Sequence, residues 1–245
     1  MRKNRQMQLI LILAICVSIV GISLGFAAFS NTLTISSSAI VKPDQKDFFL
    51  RAYGLAEANM DEDLWSYEPY KSTNISKPFI YGGSATDAVI ESSNGENGKN
   101  EITISNLHMT WTEPDQAVEY WFMIKNEGHY DAYIAQSEFD KLVNIDESII
   151  CTAITGTSED MVENACDYMD IHIEAHSSDQ TIQLDKDGGT GENYIKINKY
   201  TSESDFDYIT IALVIQYKLD ARADGDFKVT FPNISLEFTS APPMS

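Results

Sequence analysis

The chain has 245 residues and a formal charge of −20, with 37 acidic side chains against 17 basic ones. A surface of that sign repels phosphate backbones and anionic lipid, which argues against nucleic-acid binding. With 12 Tyr, 11 Phe and 3 Trp the composition is too aromatic for a disordered acidic tail, so a folded acidic domain is expected.

Residues 7–29, MQLILILAICVSIVGISLGFAAF, form an apolar run behind the basic tip of Arg2, Lys3 and Arg5. As a helix the run reaches about 34 Å, enough to cross a hydrocarbon layer of ~30 Å. The positive tip keeps the N-terminus inside and sends the rest of the chain out of the cytoplasm. Beyond residue 28 the chain carries 14 basic residues against 37 acidic ones. The expected division is therefore a signal peptide or membrane anchor over 1–28 and an extracellular domain over 29–245.

Cleaved leader and retained single-pass anchor both stay open. Gly21, Ser23 and Gly25 weaken helix continuity, and Ala27 and Ala28 supply the small residues that a signal peptidase requires. The small-residue rule prefers a cut after Ala27, because a cut after Ala28 places Phe26 where a small side chain is usual. Cys16 follows Ile15 rather than a small residue, so it does not read as a lipidation site.

Residues 30–41, SNTLTISSSAIV, set apolar Leu33, Ile35 and Val41 among hydroxyl residues and read as a strand or extended arm. Lys42-Pro43-Asp44 breaks it, and DFFLRAYGL (47–55) suggests a second strand. From Ala56 to Gly98 the chain reads as irregular, with NGENG (94–98) as a loop or hairpin tip. Strand signals then crowd together: EITISNLHMTW (101–111), AVEYWFMIKN (117–126), YDAYIAQSEF (130–139) and the stretch around Ile149 to Cys151. DIHIEA (170–175), TIQLD (181–185), NYIKINKY (193–200), DYITIALVIQYKL (207–219) and FKVTFPNISLEF (227–238) continue the pattern. Nine to eleven short strands separated by Gly, Pro, Asn and Asp predict an all-β, antiparallel sandwich. One short helix is expected after Thr157-Ser158-Glu159-Asp160, which resembles a capping box with acids in the first turn.

Cys151 and Cys166 are the only cysteines beyond the apolar run, in a compartment where disulfides persist. A disulfide is the expected pairing, stapling the predicted helix to the strand at Cys151. Two buried thiols and a metal pair are the alternatives, and two cysteines alone lack the further ligands of a zinc site.

The segment GFAAFSNTLTISSSA resembles the export and processing region of TasA/camelysin-like proteins of Gram-positive bacteria. There a small-residue pair precedes an aromatic residue at the mature N-terminus, which places the cut between Ala28 and Phe29. The stretch ISNLHMTWTEPDQAVEYWFMIKNEGHYDAYI (104–134) is similar to the same family's turn, strand and Asn-x-Gly hairpin, here Asn126 and Gly128, with Asp131-Ala132-Tyr133-Ile134 opening the return strand. Pro114-Asp115 stands where Pro-Gly is commoner, and the Cys151–Cys166 region has no counterpart in the pattern. The resemblance implies a jelly-roll-like domain exported through a specialised signal peptidase. In some members of that family the mature N-terminal arm completes a neighbour's sheet and builds matrix fibres.

No catalytic motif stands out. A helical H-E-x-x-H is missing from the sequence, and so is G-x-S-x-G. The nearest approach to a metal motif is His172-Ile173-Glu174-Ala175-His176. Strand alternation places His172, Glu174 and His176 on one face, either as metal ligands or as the solvent side of a half-buried strand, the commoner case. Asp185-Lys186-Asp187-Gly188, and Asp220 with Asp224-Gly225-Asp226, put carboxylates in turns that read as hairpin loops or as Ca²⁺ ligands. Neither group has EF-hand spacing. Tyr120, Trp121 and Phe122 read as core, with sugar stacking as the alternative.

The expectation is an exported, non-enzymatic structural protein of the cell surface or matrix. It would self-associate or join other matrix proteins through an arm carrying Leu33, Ile35 and Val41. It would meet signal peptidase during export, and the membrane if uncleaved. An anchored extracellular binding domain is the rival, and a metallopeptidase the distant third.

Overall fold

A computed structural model describes residues 47–94, 98–154, 156–189, 191–218 and 225–243. Ala27, Ala28, Phe29 and the arm residues Leu33, Ile35 and Val41 lie outside them, as does the apolar run. Among the described residues no helix is long and apolar enough to cross a membrane.

The described chain forms three antiparallel sheets. The first runs β1 (Leu50–Gly54), β8 (Ala117–Asn126), β14 (Tyr208–Tyr217), β11 (Met169–Ser177) and β12 (Gln183–Asp185). β3 (Phe79–Tyr81) pairs with residues 117–119 of β8, on the edge that β1 uses at 122–126. The second sheet runs β13 (Tyr194–Ile197), β9 (Ala132–Ala135), β16 (Ile234–Thr239), β6 (Lys99–Ser105), β5 (Ala88–Asn94) and β2 (Ile75–Ser76). The third runs β10 (Ile150–Ala153), β15 (Phe227–Thr230), β7 (His108–Trp111) and β4 (Ser84–Ala85).

Period-2 patterning explains the layering. In β14 the odd residues Ile209, Ile211, Leu213 and Ile215 enter the main core, where Val118, Tyr120, Phe122 and Ile124 of β8 meet them. Ile102, Ile104, Ile134, Ile195, Leu236 and Phe238 of the second sheet join the same core, as do Met109, Trp111 and Val229 of the third. Facing sheets that share one apolar interior make an antiparallel β-sandwich. The second face of β8 and β14 is covered as well. Trp121, Met123 and Ala212 there form a smaller cluster with Leu55, Tyr70 and Phe79, and Leu64 and Trp65 pack against it.

The segment expected to be irregular, 56–98, therefore has two tasks. Its first half folds over the outer face of the central strands, and its second half supplies β2 to β5. Strand β5, AVIESSN, escapes the sequence reading because its polar residues hide the short Ala88/Ile90 alternation.

Two local expectations are corrected. The α-helix α1 spans Gln136–Asp140, overlapping the end of the stretch 130–139 read as a strand. The helical turn brings Phe139 to 0% exposure and lets Glu138 accept the Glu237 N–H at 2.8 Å. Around 157–166 the chain instead makes two 3₁₀ turns, Glu159–Met161 and Ala165–Tyr168. Ser158 makes no side-chain cap, and the Glu159 carboxylate accepts the Ala153 N–H.

The turn at Asn126-Glu127-Gly128 is not a hairpin. β9 pairs with β13 and β16 in the opposite sheet, so the chain crosses the sandwich there. Asn126 braces the crossing by donating to the carbonyls of Tyr130 and Ile197 while accepting the Gly128 N–H. A Cβ on Gly128 would lie 2.6 Å from both the Asp47 oxygen and the Phe49 nitrogen, which is why glycine stands there.

The expected disulfide is present. Cys151 and Cys166 are joined with a Cα–Cα distance of 5.7 Å, tying edge strand β10 to the second 3₁₀ turn.

Candidate functional site

The alternation of β11 sends Ile171, Ile173 and Ala175 into the core and leaves His172, Glu174 and His176 in a row on the outer face. Cross-strand register puts His172 opposite Val214, Glu174 opposite Ala212 and His176 opposite Thr210. The next strand continues these rows with Glu119, Trp121 and Met123. Small and apolar partners beside the row leave its polar ends free to turn toward one another.

They converge on the central carboxylate. His172 Nε2 makes a short contact with Glu174 Oε1, and His176 Nε2 lies 3.3 Å from Oε2. Asp187, in the turn after β12, brings Oδ2 to 4.0 Å from His172 Nδ1. Partial burial acts to raise the Glu174 carboxyl, but the hydrogen bonds and charge of the two histidines outweigh it and hold it below the ordinary carboxylate range.

The 56–74 segment closes one end of this row. The Trp65 ring lies 3.7 Å from the His176 ring, tilted by 49°, and 4.4 Å from Trp121, edge to face. Trp121 Nε1 donates to Glu119 Oε1 at 2.6 Å. Tyr70, also in this segment, donates its hydroxyl to the Leu64 carbonyl, and burial pushes its phenol far up.

Chemically the row is a shared-carboxylate arrangement in which both Glu174 oxygens are engaged by imidazoles. Among the described residues no group of three or more His, Cys, Asp or Glu side chains is disposed to hold a metal ion. The three side chains do share one face, as alternation predicts. Trp65 and Asp187 were missed as members. Trp65, Tyr67 and Tyr70 in an otherwise polar stretch were the available signal.

The remaining candidates are distributed as follows. Tyr120 and Phe122 lie in the main core, whereas Trp121 belongs to the outer cluster. Asp185 behaves as a turn former, its Oδ1 accepting the Asp187 N–H at 2.9 Å. Asp220 and Asp224 lie outside the described residues. Comparison with protein-family models, with curated proteins and with solved structures finds no match to this chain.

Proposed function

We propose that the chain is an exported structural protein of the cell surface or extracellular matrix, with a jelly-roll-like domain that assembles into fibres by donating residues 29–41 to a neighbouring copy. The leader pattern and the likeness of its flank to TasA/camelysin-like proteins support the export step. The Cys151–Cys166 disulfide fits an oxidising compartment.

The observation that carries the reading is the seam between β1 and β5. Strand β5 has β6 along one edge; on its other edge β2 pairs with Ala88 and Val89 and the Asn74 carbonyl accepts the Ile90 N–H, and among the described residues no strand is paired with that edge beyond Ile90. The Ala52 N–H, directed away from β8, is donated to the Ser92 hydroxyl at 3.2 Å instead of to a strand. Sheet edges of this kind are templates for an added strand. Extended, residues 29–41 would span about 40 Å, more than a strand of average length needs.

The test is negative-stain microscopy of the exported chain and of a variant lacking 29–41. The reading requires filaments from the first and a folded, unassembled domain from the second. Filaments from the shortened chain would refute arm donation. A product with intact Met1 held in the membrane would favour the anchored binding domain.

A further inference from the structure

A groove of about 570 Å³ opens where the turn 177–182 faces the chain at 196–207. It lies beyond the end of the His172–Glu174–His176 row and does not involve residues 29–41. Its volume falls within the range of small-molecule sites, about 300–1,000 Å³.

Three carboxylates fix its walls. Asp207 joins them: Oδ1 accepts the Ser178 hydroxyl at 2.5 Å, and Oδ2 accepts both the main-chain N–H and Nδ2 of Asn198 at 2.9 Å. Asp179 closes the opposite turn, its Oδ1 accepting the Ser177 and Thr181 hydroxyls and the Thr181 N–H. Behind the groove, Asp131 accepts the Lys199 N–H at 2.9 Å and pairs with Lys196 Nζ at 2.8 Å. The Phe206 ring lines the groove and is fixed by the Lys125 ammonium, 3.9 Å from its centroid.

The lining selects among ligand classes. Lys196 is paired with Asp131, so Lys199 faces Asp179, Asp205 and Asp207 and the lining is net acidic, which disfavours an anion. The three carboxylates already accept donors from Ser177, Thr181, Ser178, Asn198 and Thr201, which leaves a bare cation little to claim. Hydroxyl, amide, ammonium and carboxylate groups line the groove together with one aromatic ring, which suits a ligand that donates and accepts at many points and has an apolar face. We propose that this groove binds neutral sugar units of a glycan, with Lys199 and Asp205 contacting ring hydroxyls and Phe206 contacting a sugar face.

The experiment is saturation-transfer NMR and calorimetry on the full chain in a detergent without sugar, using cellotetraose, maltotetraose and N-acetylchitotetraose. At least one should bind with a Kd on the order of 1 mM. Lys199→Ala and Asp205→Ala, both exposed positions, should each weaken it about fivefold or more, while Lys77→Ala outside the groove leaves it unchanged. Amide shifts should cluster at 177–182 and 196–207. No binding of any of the three at about 10 mM, equal binding by both groove variants, or preference for a sulfated polyanion or spermine would each overturn the assignment.

Discussion

Reducing the Cys151–Cys166 bridge tests how much of the molecule depends on one covalent link. The bridge closes a loop with a sequence separation of 15. In the chain-entropy model such a loop is worth about 3 kcal/mol through the unfolded state. For a domain of roughly 150–250 residues, each kcal/mol moves Tm by about 2–4 °C, so a loss of roughly 6–12 °C is expected. The effect should be local first. Strand β10 is an edge strand, paired only with β15 among the described strands, and the chain between the cysteines rests mainly on Val162 and Ala165. The two 3₁₀ turns, held by few buried side chains, should lose order before the central strands do. The assay is calorimetry of the oxidised chain and of the Cys151→Ser/Cys166→Ser variant, with amide exchange followed by mass spectrometry. Exchange should accelerate at 150–168 while β8 and β14 keep their protection. A Tm change below about 2 °C, or equal acceleration throughout β8 and β14, would refute the reasoning.

Other consequences are equally direct. Gly54→Ala should destabilise the fold by about 3 kcal/mol or more, because the new Cβ would sit 1.9 Å from the Ile75 oxygen and 2.3 Å from its carbonyl carbon. A urea midpoint within error of the parent would refute that packing. Asp131→Asn should cost about 1 kcal/mol at pH 7, the exposure of its Lys196 partner keeping the figure small. Burial raises the Asp131 carboxyl, but the Lys196 and Lys199 hydrogen bonds outweigh it, so its folded pKa lies below the unfolded value. Its contribution is therefore present above about pH 4 and fades as pH falls through the folded pKa. Urea titrations should show the gap between the two chains narrowing as pH falls below about 4; a gap that does not narrow there would refute the sign.

Local pattern was enough to place the long strands. β11 and β16 show through alternation, because one buried face imposes a period of two, and β8 and β14, covered on both faces, show as long runs rich in aromatic and β-branched residues. The His172, Glu174 and His176 row follows from the same rule. The disulfide was legible from there being just two cysteines beyond the apolar run. What local pattern hid was anything stabilised from a distance. Gln136–Asp140 reads as a continuation of β9, and only the core that receives Phe139 and the β16 amide that meets Glu138 turn it helical. The Thr157-to-Asp160 sequence has the letters of a capping box, yet Glu159 is drawn to β10 and no α-helix starts.

The sequence by itself determined the acidic charge balance, the apolar run behind a basic tip, the strand-rich interior and the cysteine pair, since each depends on residue type and near-neighbour spacing. The tertiary structure alone decided that Asn126–Gly128 crosses between sheets, that Trp65 closes over His176, and that Asp207 joins two distant turns into a groove. Those outcomes depend on contacts between residues far apart in sequence, whose partners are specified only once the sheets have packed.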